Sequence, residues 1–249
     1  KRGDAGQMKL AEVAWPRVEA LDRDTVVVIP TGSLEQHGQH LPLLTDTLLV
    51  TAVAEAVEQR LPVECLLTPT LWLGESAHHL PFAGTVSAWG NSYADALTAV
   101  IESLGRHGFH RFYVLNGHGG NTEPNGVTLR RLKARHPGWA LGHAGYFEFI
   151  PVPVLERVLR GPLKGICHAC EAETSLMLAV RPDLVQLDLA QDERRQIEVT
   201  NLLDFIDPLG MTVIIHQHPA GHLDQVPPIF QQHEFDVLVV KTLQRAGLG

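Results

Sequence analysis

Apolar and polar residues follow one another along this chain in blocks that predict strands and helices in turn. A β-branched run at residues 25–30 indicates a buried strand, and residues 111–115 indicate another. Apolar residues at helical spacing predict helices over residues 46–60 and 91–107. By the same criteria we predict further strands at 66–73, 140–146 and 212–216, and further helices at 121–135 and 171–180.

This alternation of strand, loop and helix continues without an obvious linker or internal repeat. It predicts an α/β fold in which helices flank a mostly parallel central sheet, and a single domain over residues 1–249. In such folds, ligands gather at the carboxyl ends of the strands. Candidate chemistry is therefore sought first in the loops that follow the predicted strands.

The loop after the first predicted strand is dense in side chains that bind metals. Glu35 and His37 alternate with another residue, so both project to one side of an extended loop, and Asp46 follows just before a helix. Carboxylate and neutral imidazole together suit zinc, manganese or iron. The alternative is that Asp46 only caps the helix and Glu35 is a surface acid. We favour metal binding, since so many ligand-type residues lie in one short loop.

A second candidate segment, Asn-Gly-His-Gly-Gly-Asn at residues 116–121, follows the strand at 111–115. Glycines around His118 allow positive φ angles and the close approach of a ligand. Asn116 and Asn121 can hold the turn through side-chain hydrogen bonds. His118 is therefore a candidate ligand, and the adjacent Gly119 a candidate substrate contact.

The third segment, residues 168–175, places two glutamates at the start of a predicted helix. Glu171 and Glu173 can answer the helix dipole, or one can bind a metal while the other orients a ligand. The residues alone leave open which glutamate is the ligand. His168 can serve as a proton shuttle or an oxyanion partner, and with Glu173 it is a predicted catalytic residue.

Other polar features favour less specific interpretations. The segment at residues 75–85 is a candidate pocket wall, in which we predict Ser76 and His78 as substrate contacts. Cys167 and Cys170 form a single C-x-x-C, better explained as packing beside the site than as a redox pair. Three late histidines favour loop surface or a subunit contact: His216, His218 and His222.

Composition excludes several classes of partner. The formal net charge of −8 argues against nucleic acid, and no apolar run reaches the roughly 18 residues of a membrane span. The chain has 3 cysteines, too few for a disulfide framework, and its N-terminus lacks the apolar run of a signal peptide, so we expect a reducing cytoplasm. Four basic residues at helical spacing predict a solvated helix face: Arg130, Arg131, Lys133 and Arg135.

Taken together, the three segments resemble the creatininase (creatinine amidohydrolase) family. The family pattern Gly-Ser-x-Glu-Gln-His-Gly-x-His-Leu-Pro-Leu-x-Thr-Asp matches residues 32–46, and its two later motifs match residues 116–121 and 168–175. Order and spacing agree from about residue 10 to residue 180. The resemblance implies a creatininase-like fold, a paired metal centre and a cyclic assembly of the homo-hexamer type.

The same resemblance implies roles for individual ligands. Glu35 and His118 would hold one metal, His37 the second, and Asp46 would bridge them. Creatinine-hydrolysing members use a glutamate ligand where this chain has Gly120. Glu171 is then the expected replacement.

The resemblance also implies an activity. We expect hydrolysis of a C–N amide bond in a cyclic amide or a similar small amide, with water activated by two divalent cations, zinc first and manganese or iron as alternatives. His168 matches a histidine assigned to proton transfer in the family. A peptidase or formamide deformylase in cofactor maturation, and a non-catalytic metal-binding protein, are the alternatives.

Overall fold

A parallel β-sheet forms the centre of the molecule. The computed structural model describes residues 8–60, 65–161 and 164–191. Within these ranges the strands are β1 (Val26–Thr31), β2 (Cys65–Leu67), β3 (Arg111–Asn116) and β4 (Ala140–Gly145). Their spatial order is β2-β1-β3-β4, and every neighbouring pair is parallel. The predicted α/β fold with a parallel sheet is confirmed.

Helices connect the strands and cover the sheet. They are α1 (Trp15–Glu19), α2 (Thr45–Arg60), α3 (Gly90–Arg106), α4 (Thr122–Arg135), α5 (Val152–Val158) and α6 (Glu171–Val180). Short 3-10 helices occupy Leu10–Glu12, Ala77–His79, Gly119–Asn121, Tyr146–Phe149, Pro182–Leu184 and Leu187–Leu189.

Alternation along β1 divides the core into two layers. Val26 and Val28 pack with apolar residues of α2, α5 and α6, whereas Val27 and Ile29 pack with those of α3 and α4. All four side chains are buried because successive residues of a strand point to opposite faces, and both faces are covered. The continuous β-branched run thus reflects a strand with helices on both sides, as predicted.

Three elements differ from the sequence-based expectations. The strand predicted at 66–73 ends at Leu67, because Pro69 lacks a donor and the chain leaves the sheet, returning only for one bridge between Leu71 and Thr31. The short helices α1 and α5 were not predicted, although each has a proline in its first turn, a common helix start. The strand predicted at 212–216 lies outside the described residues.

The surface agrees with the expected charge distribution. Arg130, Arg131, Lys133 and Arg135 are exposed on α4, which confirms the predicted solvated face, and Arg135 pairs with Glu102 at 2.8 Å. Across the described ranges, no helix combines the length and the apolar character needed to cross a bilayer. The three cysteines are free thiols.

The register between β1 and β3 positions the candidate site. Thr31 and Asn116, the last residues of these two strands, are paired across the sheet. The loops that carry Glu35 and His118 therefore start side by side at the carboxyl edge. This is the edge at which parallel sheets of this kind bind ligands.

Candidate metal centre

Asp46 lies at the centre of a buried cluster of acidic and imidazole groups. Its Oδ1 is 3.0 Å from Nε2 of His37, and its Oδ2 is 2.8 Å from Nδ1 of His118. The Ser33 hydroxyl donates a second contact to Oδ2, at 2.7 Å. One carboxylate thus meets histidines from two loops, one on each oxygen.

The loop after β1 turns back on itself to present Glu35 and His37. Gly38 adopts a φ of +66°, a conformation that favours glycine, and His37 forms an antiparallel bridge with Leu41. Nδ1 of His37 lies 3.0 Å from the carbonyl oxygen of Glu35. That contact orients the ring so that Nε2 faces Asp46.

Side chains of neighbouring residues fix the loop that carries His118. Oδ1 of Asn116 accepts from the His118 N–H at 3.2 Å, and Nδ2 donates to the His118 carbonyl at 2.7 Å. Asn121 donates to the Gly32 carbonyl at 2.9 Å, which ties this loop to the one after β1. The predicted role of both asparagines in the turn is confirmed.

Glu35 brings a carboxylate whose two oxygens are in different situations. Oε1 lies 3.4 Å from Nδ1 of His118 and 3.3 Å from Nδ1 of His168. Oε2 is buried and has no hydrogen-bond partner among the described residues. A buried carboxylate oxygen without a partner is costly, and a bound cation would satisfy it.

Glu173 completes the cluster from the first turn of α6. Its Oε2 accepts from the Ala169 N–H at 2.5 Å, and Ala169 has a φ of +52°. Ligand atoms of Glu173, His37 and Asp46 lie within 4.8 Å of one another, as do those of Glu35, Asp46 and His118. Two ligand groups of three residues therefore share Asp46.

Glu171 is not brought into this cluster. Its carboxylate accepts backbone N–H groups of Arg160 at 2.8 Å and Gly161 at 2.9 Å. Residues two apart on a helix point in different directions, so only one of the two glutamates can face the site. Against the expectation for Glu171, the structure therefore brings Glu173, and not Glu171, to the cluster around Asp46.

Buried charges dominate the electrostatics of the cluster. Burial opposes ionisation of Asp46, but His37 and His118 outweigh it and hold its pKa well below the usual range. Burial likewise opposes protonation of these histidines, yet the carboxylates raise the pKa of His37 to about 10 and that of His118 to about 9. The cluster therefore requires positive charge beside its carboxylates.

Burial also raises the pKa of Glu35, and it raises that of Glu173 to about 8. Among the described residues, the basic partners of Glu35 and Asp46 are histidines. Divalent cations would supply this positive charge in place of the ring protons and leave these imidazoles neutral, the form in which they ligate metals.

His168 lies against the cluster in a second layer of imidazoles. Its ring centroid is 4.3 Å from that of His37 and 4.4 Å from that of His79. Burial and the neighbouring histidines His37 and His79 lower the pKa of His168 to about 2. Gln36, which sequence reasoning did not assign to the site, contacts His79, and both belong to this layer.

The predicted substrate contacts lie around His118. The Ser76 hydroxyl is fully buried and 3.2 Å from Nε2 of His118, so it supports that ring. The His78 ring stacks on the His118 ring, with centroids 6.3 Å apart and an interplanar angle of 6°. Gly119 is exposed, and a side chain there would meet open space. Contact with substrate stays a prediction for all three.

Comparison with known proteins supports the motif-based resemblance. The family model Creatininase, described as creatinine amidohydrolase, matches residues 11–221. This match covers most of the chain and includes all three motif segments.

The chain belongs to the creatininase family.

Relatives within the family include enzymes with different substrates. Over 175 residues the chain is 38% identical to the mycofactocin precursor peptide peptidase of Mycobacterium ulcerans, covering 65% of this chain and 61% of that protein. Over 198 residues it is 33% identical to the creatinine amidohydrolase of Pseudomonas putida, covering 74% and 75% respectively. The chain thus spans about three fifths of the length of the mycobacterial relative.

Solved creatininase structures share the fold along the chain. A crystal structure of creatinine amidohydrolase matches with a TM-score of 0.75 and 28% identity over 97% of both chains. A creatininase variant described as Zn–Zn type matches with a TM-score of 0.71 and 26% identity, over 97% of this chain and 96% of that one. A creatininase structure described as a Mn form matches with a TM-score of 0.69 and 26% identity, over 97% of both chains. The predicted creatininase fold is confirmed.

Proposed function

We propose that this creatininase-family chain is a metal-dependent hydrolase that cleaves a C–N amide bond. One observation carries the proposal: each oxygen of the buried Asp46 carboxylate faces a histidine from a different loop. Two-metal hydrolytic sites hold their cations roughly 3.5–4 Å apart, a spacing that one carboxylate can bridge. Asp46 has the position and the charge for that role.

The residues around Asp46 divide into two ligand sets. Glu35 and His118 would hold one cation with Asp46, and His37 and Glu173 would hold the other. The partnerless Oε2 of Glu35 and the three buried carboxylates fit such an occupant. Zinc and manganese suit these oxygen and nitrogen ligands, and the Zn–Zn and Mn forms of solved creatininases support either choice.

The protein's own side chains would surround the reacting groups and exclude bulk water from them. Bound cations would supply a water acidified to hydroxide at neutral pH and would polarise the substrate carbonyl. His168, with Nδ1 3.3 Å from Glu35, lies within reach of groups held at that carboxylate. Burial of the cluster strengthens each of these electrostatic interactions by excluding water.

Two substrate classes are supported by specific observations. A small amide agrees with the similarity to creatinine amidohydrolase, and a short peptide agrees with the higher identity to the mycofactocin precursor peptide peptidase. Exposed Leu80 and Phe82 offer apolar surface near the site, with the Phe82 ring centroid 6.3 Å from that of His79. An apolar group beside the scissile amide would fit this surface. The hexameric assembly, the single domain over residues 1–249 and the cytoplasmic location stay predictions.

A paired measurement of metal content and hydrolysis tests the proposal. We expect about two divalent cations per chain and hydrolysis of a member of a panel of lactams, formamides and short peptides. His118→Ala should lose metal and activity together, whereas His168→Ala should keep the metal and lose turnover by about 10²–10⁴-fold. His107→Ala, at the exposed end of α3, is the matched control and should change neither. Full activity in both site variants would refute the mechanism.

A further inference from the structure

The side chain of Gln36 is buried between two histidines of the site. Its Nε2 lies 2.7 Å from Nδ1 of His79 and 2.9 Å from Nε2 of His168. Its Oε1 lies 2.9 Å from the backbone nitrogen of Gly38. All three polar contacts of this amide are within hydrogen-bond distance.

The contact with Gly38 determines the orientation of the Gln36 amide, that is, which side carries the oxygen and which the nitrogen. A backbone N–H only donates, so the atom that faces it must be the amide oxygen. The amide nitrogen then faces the two histidines. Its two hydrogens match the two ring nitrogens in number.

An amide nitrogen only donates, so each ring nitrogen that faces it must accept. His168 therefore carries its proton on Nδ1, and His79 carries its proton on Nε2. These are the nitrogens that point to Oε1 of Glu35, at 3.3 Å and 3.8 Å. A single amide thus directs two N–H groups toward one ligand carboxylate.

We propose that Gln36 is a positioning residue that sets the ring tautomers of His168 and His79, so that both present an N–H to the metal centre. The catalytic consequence rests on the proposed hydrolase function. His168 then acts as a neutral hydrogen-bond donor toward Glu35 and the groups held at that carboxylate, because its Nε2 accepts from Gln36. Such preorganised donors stabilise a transition state without reorganisation.

The tautomers can be read directly by ¹⁵N NMR of zinc-loaded protein labelled at histidine. Ring nitrogens with and without a proton give separate ¹⁵N shifts, and His168→Gln and His79→Gln spectra assign the two rings. Wild type should show bare Nε2 in His168 and bare Nδ1 in His79. Gln36→Glu replaces the donor by an acceptor of nearly the same shape, so the protons should move to those nitrogens.

Two further variants complete the test. Gln36→Met removes the donor and should leave each ring with mixed tautomers, whereas Gln39→Met changes an exposed amide of the same loop and should leave wild-type signals. If the wild-type tautomers persist in both Gln36→Glu and Gln36→Met, the proposal is overturned.

Kinetics separate this proposal from the proposed function. On a substrate that the wild type hydrolyses, Gln36→Met should lower kcat by about 10–100-fold with little change in KM or metal content, as outer-shell partners typically do. Unchanged kcat in that variant would overturn the catalytic part. A zinc-loaded wild type that hydrolyses no amide would defeat the proposed function, while the NMR signals still decide the role of Gln36.

Discussion

The carboxylate of Asp46 contacts the imidazole of His118, with 2.8 Å between Oδ2 and Nδ1. Asp46 lies in the first turn of α2, and His118 follows β3, so the contact joins two strand–loop–helix units. It is possible because Thr31 and Asn116 end their strands in register, which starts both loops at the same edge. The sheet register thus determines the geometry of the site.

Gly120 is predicted to be essential to this geometry, whereas its neighbour Gly119 is not. A Cβ at residue 120 would collide with the Glu75 carbonyl oxygen and with Nε2 of His118, while one at residue 119 would meet open space. Gly120→Ala should therefore displace His118, lower metal occupancy and destabilise the fold by about 1–3 kcal/mol. Gly119→Ala should retain the metal and the stability of wild type.

Metal titration and chemical denaturation of these two variants provide the check. Equal metal affinity in Gly120→Ala and Gly119→Ala would show that the position of His118 does not depend on this backbone contact. The collision also means that a larger side chain at residue 120 is not compatible with this arrangement of the loop.

Ser33 is predicted to support Asp46 without binding metal itself. Its hydroxyl donates to Oδ2 of Asp46 at 2.7 Å, so it orients the shared carboxylate. Ser33→Ala should weaken metal affinity by about 10–100-fold while the fold is kept. Ser92→Ala, at an exposed position of α3, is the control and should bind metal as wild type does. Isothermal titration with zinc distinguishes the two, and identical affinities would exclude this supporting role.

Much of the architecture could be predicted because the spacing of apolar residues along the chain reflects which faces of a strand or helix are buried. The run of β-branched residues in β1 and the helical spacing in α3 each follow from the faces they bury. The end of β2 was marked in the sequence by Pro69, but the apolar residues Leu71, Trp72 and Leu73 beyond it favoured a longer strand, whereas pairing depends on partner strands. Pairing partners are a property of the folded chain.

The residue types of the candidate ligands could be predicted from the sequence more readily than the directions in which their side chains point. Glu171 and Glu173 are equally acidic and share one helical turn, so only the rotation of α6 against α2 decides which one faces Asp46. Gln36 was overlooked because an amide gives no ligand signal by itself. Its position between Glu35 and His37 was the available clue.

His40 is predicted to make the metal-free protein sensitive to acid. Burial, with nearby His37, lowers its pKa to about 4, and its ring contacts Thr174 at 2.9 Å. The folded state therefore favours neutral His40. Its contribution to stability is complete above the unfolded pKa of about 6.5 and is lost as the pH falls from there toward 4.

The variant His40→Gln isolates this effect, because other titrating groups are common to both proteins. Relative to His40→Gln, chelator-treated wild type should lose free energy of unfolding between pH 6.5 and 4. Urea denaturation at pH 7, 5.5 and 4.5 measures the difference. A difference that stays constant across this range would mean that His40 does not titrate on unfolding.

The central claim, two cations that share Asp46 with Glu173 as a ligand, is tested most directly by metal content per chain. We would measure it in wild type, Glu173→Gln and Glu171→Gln after loading with zinc and removal of excess. The account predicts about two zinc ions in wild type and in Glu171→Gln, and about one in Glu173→Gln. Loss of zinc from Glu171→Gln with retention in Glu173→Gln, or no bound zinc in any of the three, would contradict it.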